Sequence, residues 1–216
     1  MRKPSQKSDA PEGAGAAAER GPRRARGHQR VEVLLAAAAQ IFADKGYDAA
    51  TMTEIAAQAE SSIGSLYQFF PTKDRIAQAL IAQQTQDLRA RLDAMAQMSP
   101  RWSVEELSRR LCGALIEFRG EHPSFARLID TPGVPEDLVV AVRRDMRVQL
   151  ADILAPHAPG LPKARLMAIA AAVQQVMKSA VALNADPAAD SPTAAKAALQ
   201  ELRSMLRSYL ESALAG

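Results

Sequence analysis

The sequence predicts an all-α protein, with an N-terminal three-helix unit of the helix-turn-helix kind followed by a larger C-terminal helical domain. Three observations carry this. Hydrophobic residues make up 48% of the 216 residues but aromatic residues only 4%, so the core is mostly Ala, Leu, Val, Ile and Met, a composition that favours helices. Apolar residues recur at spacings of three and four in one segment after another. Residues 49 to 73, AATMTEIAAQAESSIGSLYQFFPTK, fit two short helices separated by a tight turn, the outline of an element that reads the major groove of DNA.

Residues 1–25 are rich in Ala, Gly, Pro, Ser and charge and lack large apolar residues beyond Met1. They are expected to form a disordered basic arm. Val31 to Lys45 reads as the first helix, with Leu34, Leu35, Ala38, Ile41 and Phe42 on its core side and Gly46 as its stop. Thr51 and Glu54 form a capping box, so a second helix starts at Met52 and buries Ile55, Ala56 and Ala59. Ser61 or Ser62 caps the third helix. Within it Leu66 and Phe70, four apart, face inward, while Ile63, Ser65, Tyr67 and Gln68 project from other faces.

After Pro71, Thr72 caps a long helix carrying Ile76, Leu80, Leu88, Leu92 and Met95. This rod joins the two parts of the chain and is the candidate for transmitting a signal. The organisation is therefore an arm over 1–25, a reading unit over 26–72 and a second helical domain over 73–216.

In the second domain Ser103 and Glu106 predict another capping box, with Trp102 and Leu107 as its hydrophobic staple, ahead of a helix through Leu111, Leu115 and Phe118. Pro123 opens a short helix carrying Phe125, Leu128 and Ile129, and Pro135 opens another that reaches Leu154. The segment from Pro156 to Pro162 breaks the chain. Lys163 to Leu183 is apolar almost all round, with Ile169, Val173 and Met177 on one side and Ala164, Ala168 and Ala172 on the other. Thr193 to Leu214 carries a seam of Ala195, Ala198, Leu202, Met205, Tyr209 and Ala213 flanked by Leu199, Leu206 and Leu210. One side of each helix can serve the chain's own core, leaving the other for a partner chain.

The motif resembles that of the TetR family of transcriptional regulators, which carry a run of Gly-Val-Ser-x-Gly-x-Leu-Tyr-x-His-Phe followed shortly by Lys. Ser62, Gly64, Leu66, Tyr67, Phe70 and Lys73 match it, and Gly46-Tyr47, Thr51 and Ile55-Ala56 extend the match upstream. Glu60 replaces the turn glycine, Ser61 an apolar residue and Phe69 the usual His or Tyr. The first departure predicts a strained turn. By its matching positions the resemblance implies DNA contacts from Thr51, Thr53, Ser62, Ile63, Ser65, Tyr67, Gln68 and Lys73. Of these, Ser65 and Gln68 suit bases, and Thr51, Tyr67 and Lys73 suit phosphates. It further implies a homodimer through the last two helices on a palindromic double-stranded operator, and a ligand-responsive repressor released by a small-molecule effector held in the second domain.

The net charge of +3 does not by itself demand a nucleic-acid partner, and residues 49–72 hold no Lys or Arg. The electrostatic grip must come from Arg20, Arg23, Arg24, Arg26 and Arg30 before the motif and from Lys73 and Arg75 after it. The single cysteine, Cys112, excludes an intrachain disulfide and fits a cytoplasmic protein. Neither a signal peptide nor an apolar run of about 18 residues is evident, so no membrane partner is expected. His28, His122 and His157 are not at metal-ligand spacing, and no nucleophile motif or phosphate-cradling glycine loop occurs. No metal, cofactor or catalytic residue is expected. The competing readings are a helical enzyme and a helical interaction adaptor with the shape of a reading unit. Met95, Trp102, Phe118, His122, Phe125, Met146, Gln174 and Met177 could line an effector cavity, but ordinary packing accounts for each.

Overall fold

The computed structural model describes residues 15–129, 136–185 and 191–215, with side chains from residue 26 onward. Among the described residues there are nine α-helices and no strand: α1 (Gly15–Ala49), α2 (Met52–Gln58), α3 (Ile63–Phe69), α4 (Lys73–Met98), α5 (Val104–Glu121), α6 (Pro123–Ile129), α7 (Glu136–Leu154), α8 (Lys163–Asn184) and α9 (Pro192–Leu214). Short 3-10 turns follow α4 and α7. Pro135, expected to open α7, lies outside the described residues.

Helix α1 starts ahead of the reading unit expected from residue 26. It begins at Gly15, within the segment expected to be the arm. Residues 1–14 lie outside the described residues. At its other end α1 breaks at Gly46, whose φ of 78° and ψ of 175° suit only glycine.

Leu34, Phe42, Ile55, Leu66 and Ile76 have no exposed surface and weld α1, α2 and α3 to the start of α4. The caps are those read from the sequence: Thr51, Ser62, Thr72 and Ser103 each accept the backbone N–H three residues on. At Ser103 the box is only half made. The Glu106 carboxylate turns to Arg109 and Arg110 instead of the backbone, because two guanidiniums outbid one amide for a charged acceptor.

Two elements tie the reading unit to the second domain. The rod α4 was expected; the packing of α6 against α1 was not. Between α4 and α6 the fully buried pair Gln84 and Ser124 exchange hydrogen bonds, Gln84 Nε2 donating to Ser124 Oγ at 2.9 Å. In the second domain α8 packs against α5, α7 and α9. By length and composition α8 is apolar enough to cross a membrane, contrary to the expectation of no such run. Packing against three other helices accounts for its buried side, about a third of the apolar window. Cys112 is buried in α5, and burial pushes its thiol up to about 11, as suits an inert core residue.

Candidate nucleic-acid interface

The turn between α2 and α3 is built from backbone hydrogen bonds. Ser61 N donates to Ala56 O at 2.9 Å and Glu60 N to Ala57 O at 3.0 Å, the paired bonds of a Schellman motif. Glu60 occupies its left-handed position with φ of 48°, the only positive φ outside glycine among the described residues. A side chain there costs roughly 1 kcal/mol that glycine would not. Glu60→Gly is therefore expected to stabilise the unit by about 1 kcal/mol in denaturant titrations, against the usual loss when glycine enters a chain. The second departure, Ser61, has a partner: Arg30 of α1 donates to its hydroxyl at 2.9 Å. Arg30, counted with the basic arm, thus helps hold the turn.

With the turn fixed, α3 buries Leu66 and turns Ile63, Tyr67 and Phe69 to solvent at 39%, 49% and 37% exposure. Gln68 is exposed beside them and Ser65 half-exposed. Gly64 lies on the same short helix, and a Cβ added there would meet nothing within 4 Å. Glycine weakens a helix, so no contact within the chain explains it. Thr53 is exposed on α2. Ser62 Oγ accepts from Ser65 N at 3.1 Å, which leaves its hydroxyl proton for another acceptor.

Two of the residues expected at phosphates are engaged within the chain. Thr51 Oγ1 accepts from Glu54 N at 3.2 Å and donates to Glu54 Oε2 at 2.9 Å, so its hydroxyl is committed to the cap. The Lys45 ammonium pairs with Glu54 and, with the Thr51 bonds, holds that carboxyl below its ordinary range. Lys73 is engaged further still. Its ammonium donates to the carbonyls of Tyr47 at 2.7 Å, Ala50 at 3.0 Å and Asp48 at 3.1 Å, and sits 4.5 Å from the centre of the Tyr47 ring. All three protons are used, at the end of α1 where the carbonyl dipoles point. The Tyr47 hydroxyl donates to Asp74, and burial first, then Asp74, pushes its ionisation up to about 12. The phenol therefore stays neutral at any ordinary pH, and this clamp weakens only above about pH 10, where the unfolded chain loses the proton that the folded one keeps.

A capped pair of helices with a fixed turn, presenting one neutral, uncovered helix face, defines a helix-turn-helix DNA-binding protein. Residues 34–80 match the family model described as bacterial regulatory proteins, tetR family, and residues 103–210 match that described as tetracyclin repressor-like, C-terminal domain. The chain belongs to the TetR family of DNA-binding transcriptional regulators.

Among curated proteins it is similar to the A-factor receptor protein of Streptomyces griseus, 40% identical over 63 residues. That match spans 29% of this chain and 23% of the receptor. Among solved structures it shares its fold with a TetR-family regulator of Mesorhizobium loti, at TM-score 0.66 and 18% identity over 88% of this chain and 97% of that one. A gamma-butyrolactone receptor (ArpA-like protein) also shares the fold, at TM-score 0.53 and 21% identity over 85% and 98% of the two chains.

Proposed function

We infer that the protein is a cytoplasmic repressor that covers a palindromic operator as a homodimer and leaves it when a small effector binds the second domain. The observation that carries the DNA-reading part is the bare face of α3, where Ile63, Tyr67 and Phe69 stand exposed around a glycine that no neighbour explains. Open space above Gly64 lets a duplex backbone approach α3 closely. Ser65 and Gln68 then face base edges, Ile63 suits a thymine methyl, and Ser62 and Tyr67 donate to phosphates. Thr53 joins them at the start of α2. Gln68→Ala is expected to cost about 1 to 3 kcal/mol on the preferred operator and to relax selection at one base pair. Uniform loss on all sequences would assign Gln68 to the backbone.

With no Lys or Arg in residues 49–72, and Lys73 and Arg30 engaged elsewhere, counterion release falls to the exposed Arg75, the N-terminal end of α1 and the arm before it. Deleting residues 1–27 is expected to weaken binding and flatten the dependence of log K on log salt by about one unit per phosphate contact removed.

Effector release rests on likeness to receptors for small molecules and on two links between the domains, α4 and α6. A ligand that favours one arrangement of these helices by about 1 to 3 kcal/mol would shift the spacing of two reading heads. A gel shift against the promoter regions beside its own gene tests the whole reading. Retarded bands with specific competition support it; no retardation at micromolar protein would leave the interaction adaptor.

A further inference from the structure

Arg203 of α9 stands out because no acceptor for it is found among the described residues. Its Nε is buried without a hydrogen-bond partner, and among the described residues no ion pair reaches it. The cations around it are matched. Arg91 pairs with Glu117 and Glu121, Arg109 and Arg110 share Glu106, and Arg207 pairs with Glu105 and Glu211. The residue as a whole is half-buried, and for its terminal N–H groups, too, no acceptor is found among the described residues, which leaves them for a partner from outside the chain.

Arg203 lines a cleft of about 380 Å³ between the end of α4, α5 and α9, whose walls include Met95, Met98 and Trp102. The Trp102 ring is fixed from one side by the Arg110 guanidinium at 4.7 Å. Gly113, in the middle of α5, also borders the cleft, and the only atom near an added Cβ is Glu117 Oε1 at 3.3 Å. Glycine inside a helix is unfavourable, so its presence here keeps space open and does not serve internal packing. By contrast, the cavity among Leu88, Leu115, Phe125 and Met146 holds only about 40 Å³, the scale of a water or two. The larger cleft has the size of a small-molecule site.

We propose that this cleft binds a small carboxylate with an apolar body, the carboxylate pairing with Arg203 and the body lying against Trp102, Met95 and Met98. A planar guanidinium matches a carboxylate through two parallel N–H bonds, which a neutral ligand cannot reproduce. Soft thioether and indole walls accept aromatic or alkyl groups without demanding one shape. Binding here needs only the residues of the cleft, and it is read without DNA, so its failure is distinct from failure of the operator reading.

Trp102 is the only tryptophan in the chain, so its emission reports the site directly. Full-length protein is titrated with 4-phenylbutyrate and with its uncharged analogue 4-phenylbutyramide, exciting Trp102 selectively. The carboxylate is expected to change the emission saturably and to bind at least about tenfold more tightly than the amide, the scale of one charge-assisted hydrogen bond. Arg203→Gln should abolish that preference, and Arg203→Lys should restore part of it. Gly113→Leu should exclude both compounds with the α-helical circular dichroism preserved. Because Arg203 has no partner to lose, its variants are expected to fold, and they decide the matter whether or not Gly113→Leu does. Equal affinity for acid and amide, a preference that survives Arg203→Gln, or no saturable response would overturn the proposal.

Discussion

Lys73→Ala is expected to lower the stability of the reading unit by about 2 to 4 kcal/mol, the range for removing a charged donor from several acceptors. The ammonium holds the carbonyls of Tyr47, Asp48 and Ala50 together, which are the loose end left when Gly46 breaks α1. These carbonyls have no helical donor beyond them, and a lysine from the start of α4 supplies three. Asp74, next in sequence, accepts from the Tyr47 hydroxyl, so two adjacent residues of α4 grip one turn of α1 from both ends of the tyrosine. Lys73→Met keeps the aliphatic stem over the ring and removes only the charge; it should lose most of the same energy, because the hydrogen bonds and not the packing dominate. Thermal and denaturant unfolding measure the loss. A phosphate contact would behave differently, with normal stability and a salt dependence of operator binding that falls by about one unit. Near-native stability in Lys73→Ala would return this residue to the DNA surface.

The in-chain partners of Lys73 mark what could not be read from the sequence. Local chemistry was legible. Thr51, Ser62 and Thr72 cap helices because a hydroxyl and the amide three residues on are neighbours in any fold, and the strain at Glu60 followed from a missing glycine at a turn of fixed geometry. The periodic faces of α1 and α4 likewise gave Leu34, Phe42, Ile76 and Leu92 as core. Partners distant in sequence were not legible. Lys73 meets carbonyls 23 to 26 residues upstream, Arg30 meets Ser61 31 residues away, and Gln84 meets Ser124 40 residues away. A polar side chain carries no periodicity that would disclose such a partner. Thr51 faces a different competition, since one hydroxyl can serve a cap or a phosphate, and within the chain it serves the cap.

Met205→Glu is expected to dissociate the homodimer and, through it, to weaken operator binding by at least about a hundredfold. Within one chain α9 buries Leu199, Leu206 and Leu210 and leaves Met205 at 67% and Tyr209 at 39% exposure. The apolar window of α8 is only 33% buried within the chain. Two adjacent helices with uncovered apolar surface are poor partners for water and good ones for a second copy, since a twofold axis lays the same patch against itself. In the monomer the substitution should cost little, because Met205 is already solvent-facing and glutamate is a good helix former. At a self-matched interface it would place two like charges against each other in a desolvated seam, a penalty of several kcal/mol. Size-exclusion chromatography with light scattering should therefore show a folded monomer where the parent chain runs as a dimer. One α3 then reaches one half-site, and the second set of base contacts is lost along with the phosphates that accompany it. A dimeric Met205→Glu variant with full operator affinity would move the interface to another face of the second domain, while a monomeric parent chain that still binds one operator tightly would sever the link between pairing and reading.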